Sequence, residues 1–171
     1  MKANVLVAAL AFSILAGWPA LTYDGTATAL WLRGYAILPA PQKVALTGGD
    51  FSFGSDWQLQ LGPGVAASDQ PVTTLQAGLR RTHGWNLVTA GGGPRGEKVL
   101  RLELRPGAAA AGTKPAIGRQ GYLIELSPTR VTVTGNDQPG LFYGVQSFLQ
   151  LLFDHSQARK IIKDFFKFFV S

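Results

Sequence analysis

The sequence predicts a domain that combines strands with two helices, an α/β domain of the α+β type. Three observations predict it. Short segments of alternating polarity recur between glycine and proline turns. Two longer segments place apolar residues three and four apart behind a capping residue and a proline. The length of 171 residues, 46% of them hydrophobic, suffices for one core. It leaves no room for a catalytic barrel as well, which takes about 250 residues by itself.

The elements follow in order. Ile37-Leu38-Pro39-Ala40-Pro41-Gln42-Lys43 is an extended approach, because each proline disfavours helix at the residue before it. Val44-Ala45-Leu46 and Trp57-Gln58-Leu59-Gln60-Leu61 read as strands separated by a turn around Gly48-Gly49. In the second, Trp57, Leu59 and Leu61 alternate with Gln58 and Gln60, giving one buried and one wet face. A helix follows, capped by Ser68 or Asp69, with Pro71 in its first turn and Val72, Leu75 and Leu79 on one face. His83-Gly84 ends it, the glycine supplying a left-handed stop. From Lys98 to Arg105, Leu100, Leu102 and Leu104 face one way and Arg101, Glu103 and Arg105 the other. Gly121 to Leu126 and Arg130 to Thr134 form a hairpin through Ser127-Pro128-Thr129. Last comes a helix from Pro139 to Leu152, with capping oxygens at Asn136 and Asp137. Its stripe of Leu141, Val145, Phe148, Leu149 and Leu152 packs on the sheet.

Composition excludes several classes of function. Cysteine is absent, which removes disulfides, thiolate metal sites, cysteine nucleophiles and a lipidated cysteine. Two histidines, His83 and His155, are too few for a catalytic zinc site built on imidazoles. Half of the net charge of +6 lies at the ends. With Lys2 and the last stretch set aside, eleven basic residues face eight acidic ones, scattered singly apart from Arg80-Arg81. That is not a nucleic-acid footprint, which clusters bases on one face among aromatics. The short basic start and the apolar run from Val5 to Trp18 read as a signal peptide over residues 1–29, with Ala27-Thr28-Ala29 as cleavage site and an earlier cut near Ala20 as the alternative. Such a protein is periplasmic or secreted. An uncleaved anchor is disfavoured because the run falls short of the ~20 residues of a membrane span.

The candidate chemical groups each have an ordinary explanation. His83 lacks a serine or carboxylate pattern to work with, and a histidine suits the negative end of a helix dipole. Glu103 and Glu125 sit on polar strand faces, where a carboxylate pair for glycoside chemistry competes with cross-strand pairing to Arg101, Arg105 or Arg130. Gly91-Gly92-Gly93-Pro94-Arg95-Gly96 neither opens a helix nor precedes Lys-Ser/Thr, so it reads as a hairpin loop rather than a phosphate cradle. Residues 106–115 form a low-complexity Ala/Gly loop. Trp57, Trp85 and Tyr122 are candidates for stacking on a sugar, or for the core. No catalytic, cofactor-binding or metal-binding residue is assigned.

Two stretches carry a family resemblance. One is Ile37-Leu38-Pro39-Ala40-Pro41-Gln42 followed by Phe51-Ser52-Phe53. The other runs from Gly121-Tyr122-Leu123-Ile124-Glu125-Leu126 through Gly140-Leu141-Phe142-Tyr143-Gly144-Val145-Gln146-Ser147-Phe148-Leu149-Gln150-Leu151-Leu152. In this order and spacing they resemble the N-terminal domain of family-20 glycoside hydrolases, the β-N-acetylhexosaminidases, over residues 34–152. The resemblance implies an antiparallel sheet with two helices packed on one face. It also implies catalysis in a following (β/α)₈ barrel, where an adjacent Asp-Glu pair works with the substrate's own acetamido group. None of the ten acidic residues here is adjacent to another, so no catalytic residue carries over. The implied function is that of an accessory domain of an exported β-N-acetylhexosaminidase, truncated before its barrel and inactive alone. A free-standing module binding a glycan or a protein is the alternative.

After Leu152 the composition changes. Glycine and proline vanish, and four of the ten Phe stand at 165, 166, 168 and 169 among Lys160, Lys163 and Lys167. This segment, 153–171, is expected to be a basic, aromatic helical tail of unrelated coding origin, a membrane surface being its one candidate partner.

Overall fold

The computed structural model describes residues 35–38, 40–46, 50–90, 98–109, 118–153, 160–163 and 166–170. Along the chain these form β1 (Lys43–Leu46), β2 (Asp50–Phe53), β3 (Gln58–Leu61), α1 (Gln70–His83), β4 (Val88–Thr89), β5 (Val99–Leu104), β6 (Tyr122–Leu126), β7 (Arg130–Gly135), α2 (Gln138–Leu152), β8 (Lys160–Lys163) and β9 (Phe166–Val170). The expected signal peptide, the Gly91–Gly96 loop and most of the Ala/Gly loop lie outside the described residues.

Seven strands make one sheet in the order β1-β9-β6-β7-β5-β3-β4, while β2 and β8 pair separately. The two helices and the α+β character are as expected, but the sheet is mixed rather than antiparallel. β4, β3, β5 and β7 run parallel to one another, and the pairs β7–β6, β6–β9 and β9–β1 are antiparallel. The reason is the connection each strand receives. The tight link Ser127-Pro128-Thr129 reverses the chain, with Ser127 and Arg130 exchanging backbone hydrogen bonds, so β6 and β7 are antiparallel. Between β3 and β4 the chain instead crosses over through α1, and a helical crossover returns it to the same end of the sheet, which makes the next strand parallel.

Both helices cover one face. Leu59, Leu100, Leu102, Tyr122, Ile124, Val131 and Val133 meet Val72, Leu75, Leu79, Leu141, Val145, Phe148 and Leu152 in a single core. Helix α1 starts after Asp69, whose backbone is extended but whose side chain makes no capping bond. Its carboxylate accepts from Ala66 N–H at 2.8 Å and from Gln138 Nε2 at 2.8 Å, tying the starts of the two helices together. Those two bonds hold its pKa below the ordinary value. At the other end Gly84 adopts φ 71°, and Gly84 and Trp85 donate back to Arg80 and Leu79 carbonyls. Helix α2 is capped by Asp137, whose Oδ1 accepts from Gly140 N–H at 2.9 Å. Glycine lets it lie close to the sheet, since a Cβ on Gly144 would stand 2.7 Å from Val133 Cγ1.

The tail is corrected as well. Lys160–Lys163 and Phe166–Val170 are strands, not a helix. Isoleucine, phenylalanine and valine favour a pleated, half-buried surface. A helix would have spread these apolar residues around its whole circumference.

Candidate functional site

The sheet has a second face, opposite the helices, formed by the residues that alternate with the core positions. Gln60, Arg101, Thr132 and Glu125 occupy neighbouring register positions on β3, β5, β7 and β6, with Glu103, Thr134 and Leu123 in the adjoining row. Glu103 is the buried carboxylate here, 8% exposed. Its Oε2 accepts from Arg101 Nε at 2.8 Å, and its Oε1 accepts from Arg105 Nη2 and from Thr134 Oγ1. Burial works to raise the pKa of Glu103, yet the hydrogen bonds from Arg101 and Arg105, the Arg105 charge and the Thr134 hydroxyl together hold it below its ordinary value. A carboxylate kept ionised and saturated by donors is a poor general acid.

Glu125 does not form a pair with it. The two residues are separated by one intervening strand and two positions along the sheet, about 12 Å between Cα atoms from the strand spacings. The cross-strand ion pairing expected of Glu103 is corrected: its ion pairs run along its own strand direction to Arg101 and Arg105, two residues to either side, and its neighbour across the sheet is the Thr134 hydroxyl. Among the described residues no group of three metal-ligating side chains occurs, and no helix is long and apolar enough to cross a membrane.

The aromatic candidates for sugar stacking are core residues. Trp57 and Tyr122 are each 1% exposed and Trp85 is buried behind α1. Phe53, Trp57, Trp85 and Phe148 pack ring to ring, with centroids 4.9–6.0 Å from Phe53. Tyr122 hydroxyl is hydrogen-bonded to Ser147 between sheet and helix, and its burial pushes its pKa up to about 12. His83, the last residue of α1, stacks on Trp85 at 4.4 Å. None of the three candidates presents its ring to a ligand.

What the surface does offer is an apolar strip that composition alone did not reveal. Tyr143 and Phe153 are exposed on the outer side of α2 and just past its end. Leu38, 76% exposed, is fastened beside them. Gln150 Oε1 accepts from Leu38 N–H at 2.7 Å, and Gln150 Nε2 donates to Leu38 C=O at 2.9 Å. A side-chain amide thus holds the extended approach against the helix, as a neighbouring strand would. In the sequence the signal was Tyr143, Gln146, Gln150 and Phe153 at helical spacing opposite the core stripe. Asn136, expected as a cap, does other work. It donates to the Ala109 and Gly118 carbonyls at 2.9 and 2.6 Å and accepts from Ala109 N–H, fastening Ala109 and Gly118 to the start of α2.

A mixed sheet with both helices on one face defines an α+β domain. The model of glycosyl hydrolase family 20, domain 2, matches residues 34–164, and the chain belongs to that family. The match continues past Leu152, where the composition changes. None of the curated protein sequences compared with the chain matches it significantly. Among solved structures, a family-20 exo-β-N-acetylglucosaminidase from Vibrio harveyi, in complex with N-acetylglucosamine, is 15% identical with a TM-score of 0.60, over 79% of this chain and 19% of that one. The chitobiase of Flavobacterium johnsoniae is 14% identical with a TM-score of 0.56, over 81% and 21%. The β-N-acetylhexosaminidase of Streptomyces coelicolor A3(2) is 19% identical with a TM-score of 0.53, over 77% and 26%. At these identities the likeness shows the fold. The chain spans about a fifth to a quarter of the length of these relatives.

Proposed function

We propose that this chain is the non-catalytic domain of an exported β-N-acetylhexosaminidase and that it hydrolyses no glycoside by itself. The family match over residues 34–164 carries this reading. Two observations support its second half. Glu103 is saturated by Arg101, Arg105 and Thr134, and Glu125 lies beyond an intervening strand from it. Export rests on the leader pattern of residues 1–29.

The domain's partner in this reading is a catalytic domain, and the strip of Leu38, Tyr143 and Phe153 is the surface offered to it. Protein interfaces favour aromatic anchors with a polar rim, and Gln146 and Gln150 supply polar groups beside these three. A protein partner fits this strip better than a glycan, because the large aromatics proposed for sugar stacking are buried. The direct test is incubation of the purified chain with an aryl β-N-acetylglucosaminide. Release of the aryl alcohol is expected to stay at the rate of the protein-free blank. Steady turnover above the blank, proportional to the chain's concentration, would overturn the proposal.

A further inference from the structure

The segment after Leu152 pairs with two separate parts of the domain. β9 lies between β1 and β6. On one side Lys43, Val44, Ala45 and Leu46 face Phe169, Phe168, Lys167 and Phe166. On the other, Tyr122, Leu123, Ile124 and Glu125 face Val170, Phe169, Phe168 and Lys167. β8 meanwhile pairs with β2, from Asp50 opposite Lys163 to Phe53 opposite Lys160. Among the described residues β1 and β2 have no other strand partner. The two strands β1 and β2 thus find their antiparallel partners in the same later stretch of chain, in β9 and β8.

We infer that β8 and β9 are the closing strands of this domain: β9 joins β1 to the body of the sheet, β8 gives β2 its partner, and the folded unit extends past Leu152 to Val170. The core gives the reason. Val44 and Phe53 are fully buried, and Phe53 packs against Trp57, Trp85 and Phe148. Both sit on strands whose hydrogen bonds run to 160–170. Without that segment β1 and β2 have no ladder, and the outer edge of β6 is left with unpaired amides and carbonyls. A polypeptide continuing past Val170 would be anchored by an interior strand, not by an exposed linker. This inference does not depend on the proposed function, because its test reads stability and amide protection rather than hydrolysis.

The test uses the full chain. Hydrogen exchange on the unsubstituted protein is expected to show Lys43–Leu46, and every amide of Tyr122–Leu126 whichever neighbour it faces, protected on the scale of Val131–Gly135. Rapid exchange in Lys43–Leu46 together with alternate fast amides in β6 would overturn the inference. A second arm is Phe168→Pro, which removes a ladder amide from a strand with neighbours on both sides. It is expected to lower Tm by about 10 °C or more and to release protection in residues 43–53. A variant with unchanged Tm and unchanged protection there would also overturn it. Should Phe168→Pro fail to fold, the exchange pattern of the unsubstituted chain decides.

Discussion

The unit from β3 to α2 and the ribbon formed by β1 with β9 and β2 with β8 differ in how far apart their partners stand in the sequence. In the first, β6 and β7 are joined by three residues, and each helix is delimited by its own caps. In the second, Lys43 pairs with Phe169 and Phe53 with Lys160, across nearly the whole domain. Local partners declare themselves through turns, caps and periodicity. Distant ones share no local signal, and their loop-closure cost is met only when the core they enclose is complete. What the local sequence leaves unmarked in the ribbon is therefore which strand pairs with which.

Three experiments would break or sharpen that contrast. The largest effect is expected at Phe148, where the two regions meet, since its ring lies edge-on to Phe53 at 5.2 Å. Phe148→Ala should cost about 3–5 kcal/mol in denaturant unfolding and loosen the ribbon with the central unit. A loss below about 1 kcal/mol would mean that the ribbon is not packed on α2.

Next comes a pair of glycines confined to the central unit. Gly144→Ala drives a methyl toward Val133 on a sheet strand and should destabilise by about 1–3 kcal/mol. Gly78→Ala meets only the end of the Leu149 side chain, which can turn away, and gains helix propensity of about 1 kcal/mol. Its melting temperature should stay close to that of the parent. Equal losses at both sites would show that the helix–helix contact is as rigid as the helix–sheet contact.

The smallest loss is expected on the polar face, away from the ribbon. Glu103→Gln should cost about 1 kcal/mol at neutral pH, because it takes the counter-ion from Arg101 and Arg105, whose side chains remain partly solvated. The pKa of Glu103 is lower in the folded chain than its ordinary value of 4.5. Its contribution is therefore fully present above that ordinary value and is lost as pH falls through the lower folded one. Stability curves of the parent and the glutamine variant should converge in that acidic window. Parallel curves down to pH 3 would mean that the ion pairs contribute nothing.

Legibility followed the same division. The caps at Asp69 and Asp137, the stop at Gly84 and the alternation of Leu100, Leu102 and Leu104 place α1, α2 and β5 within a residue or two of where they stand. β4 escaped notice because two residues, Val88 and Thr89, are too few to alternate. The candidate surface was partly visible, since Tyr143 and Phe153 fall opposite the core stripe of α2. Its completion by Leu38 was not, because the Gln150 amide reaches back to a residue that no periodicity connects with it.

By itself the sequence determined the helices, the hairpin and the face each central strand buries, because backbone propensity, capping and side-chain alternation act over a few residues. Only the tertiary structure decided that the sheet is mixed, that Trp57, Trp85 and Tyr122 belong to the core, and that the segment after Leu152 is strand. Those outcomes depend on which distant edges and surfaces meet. An apolar segment is free to be helix or strand until a partner offers it a ladder of unpaired backbone groups, and here β1 and β6 offer that ladder from both sides.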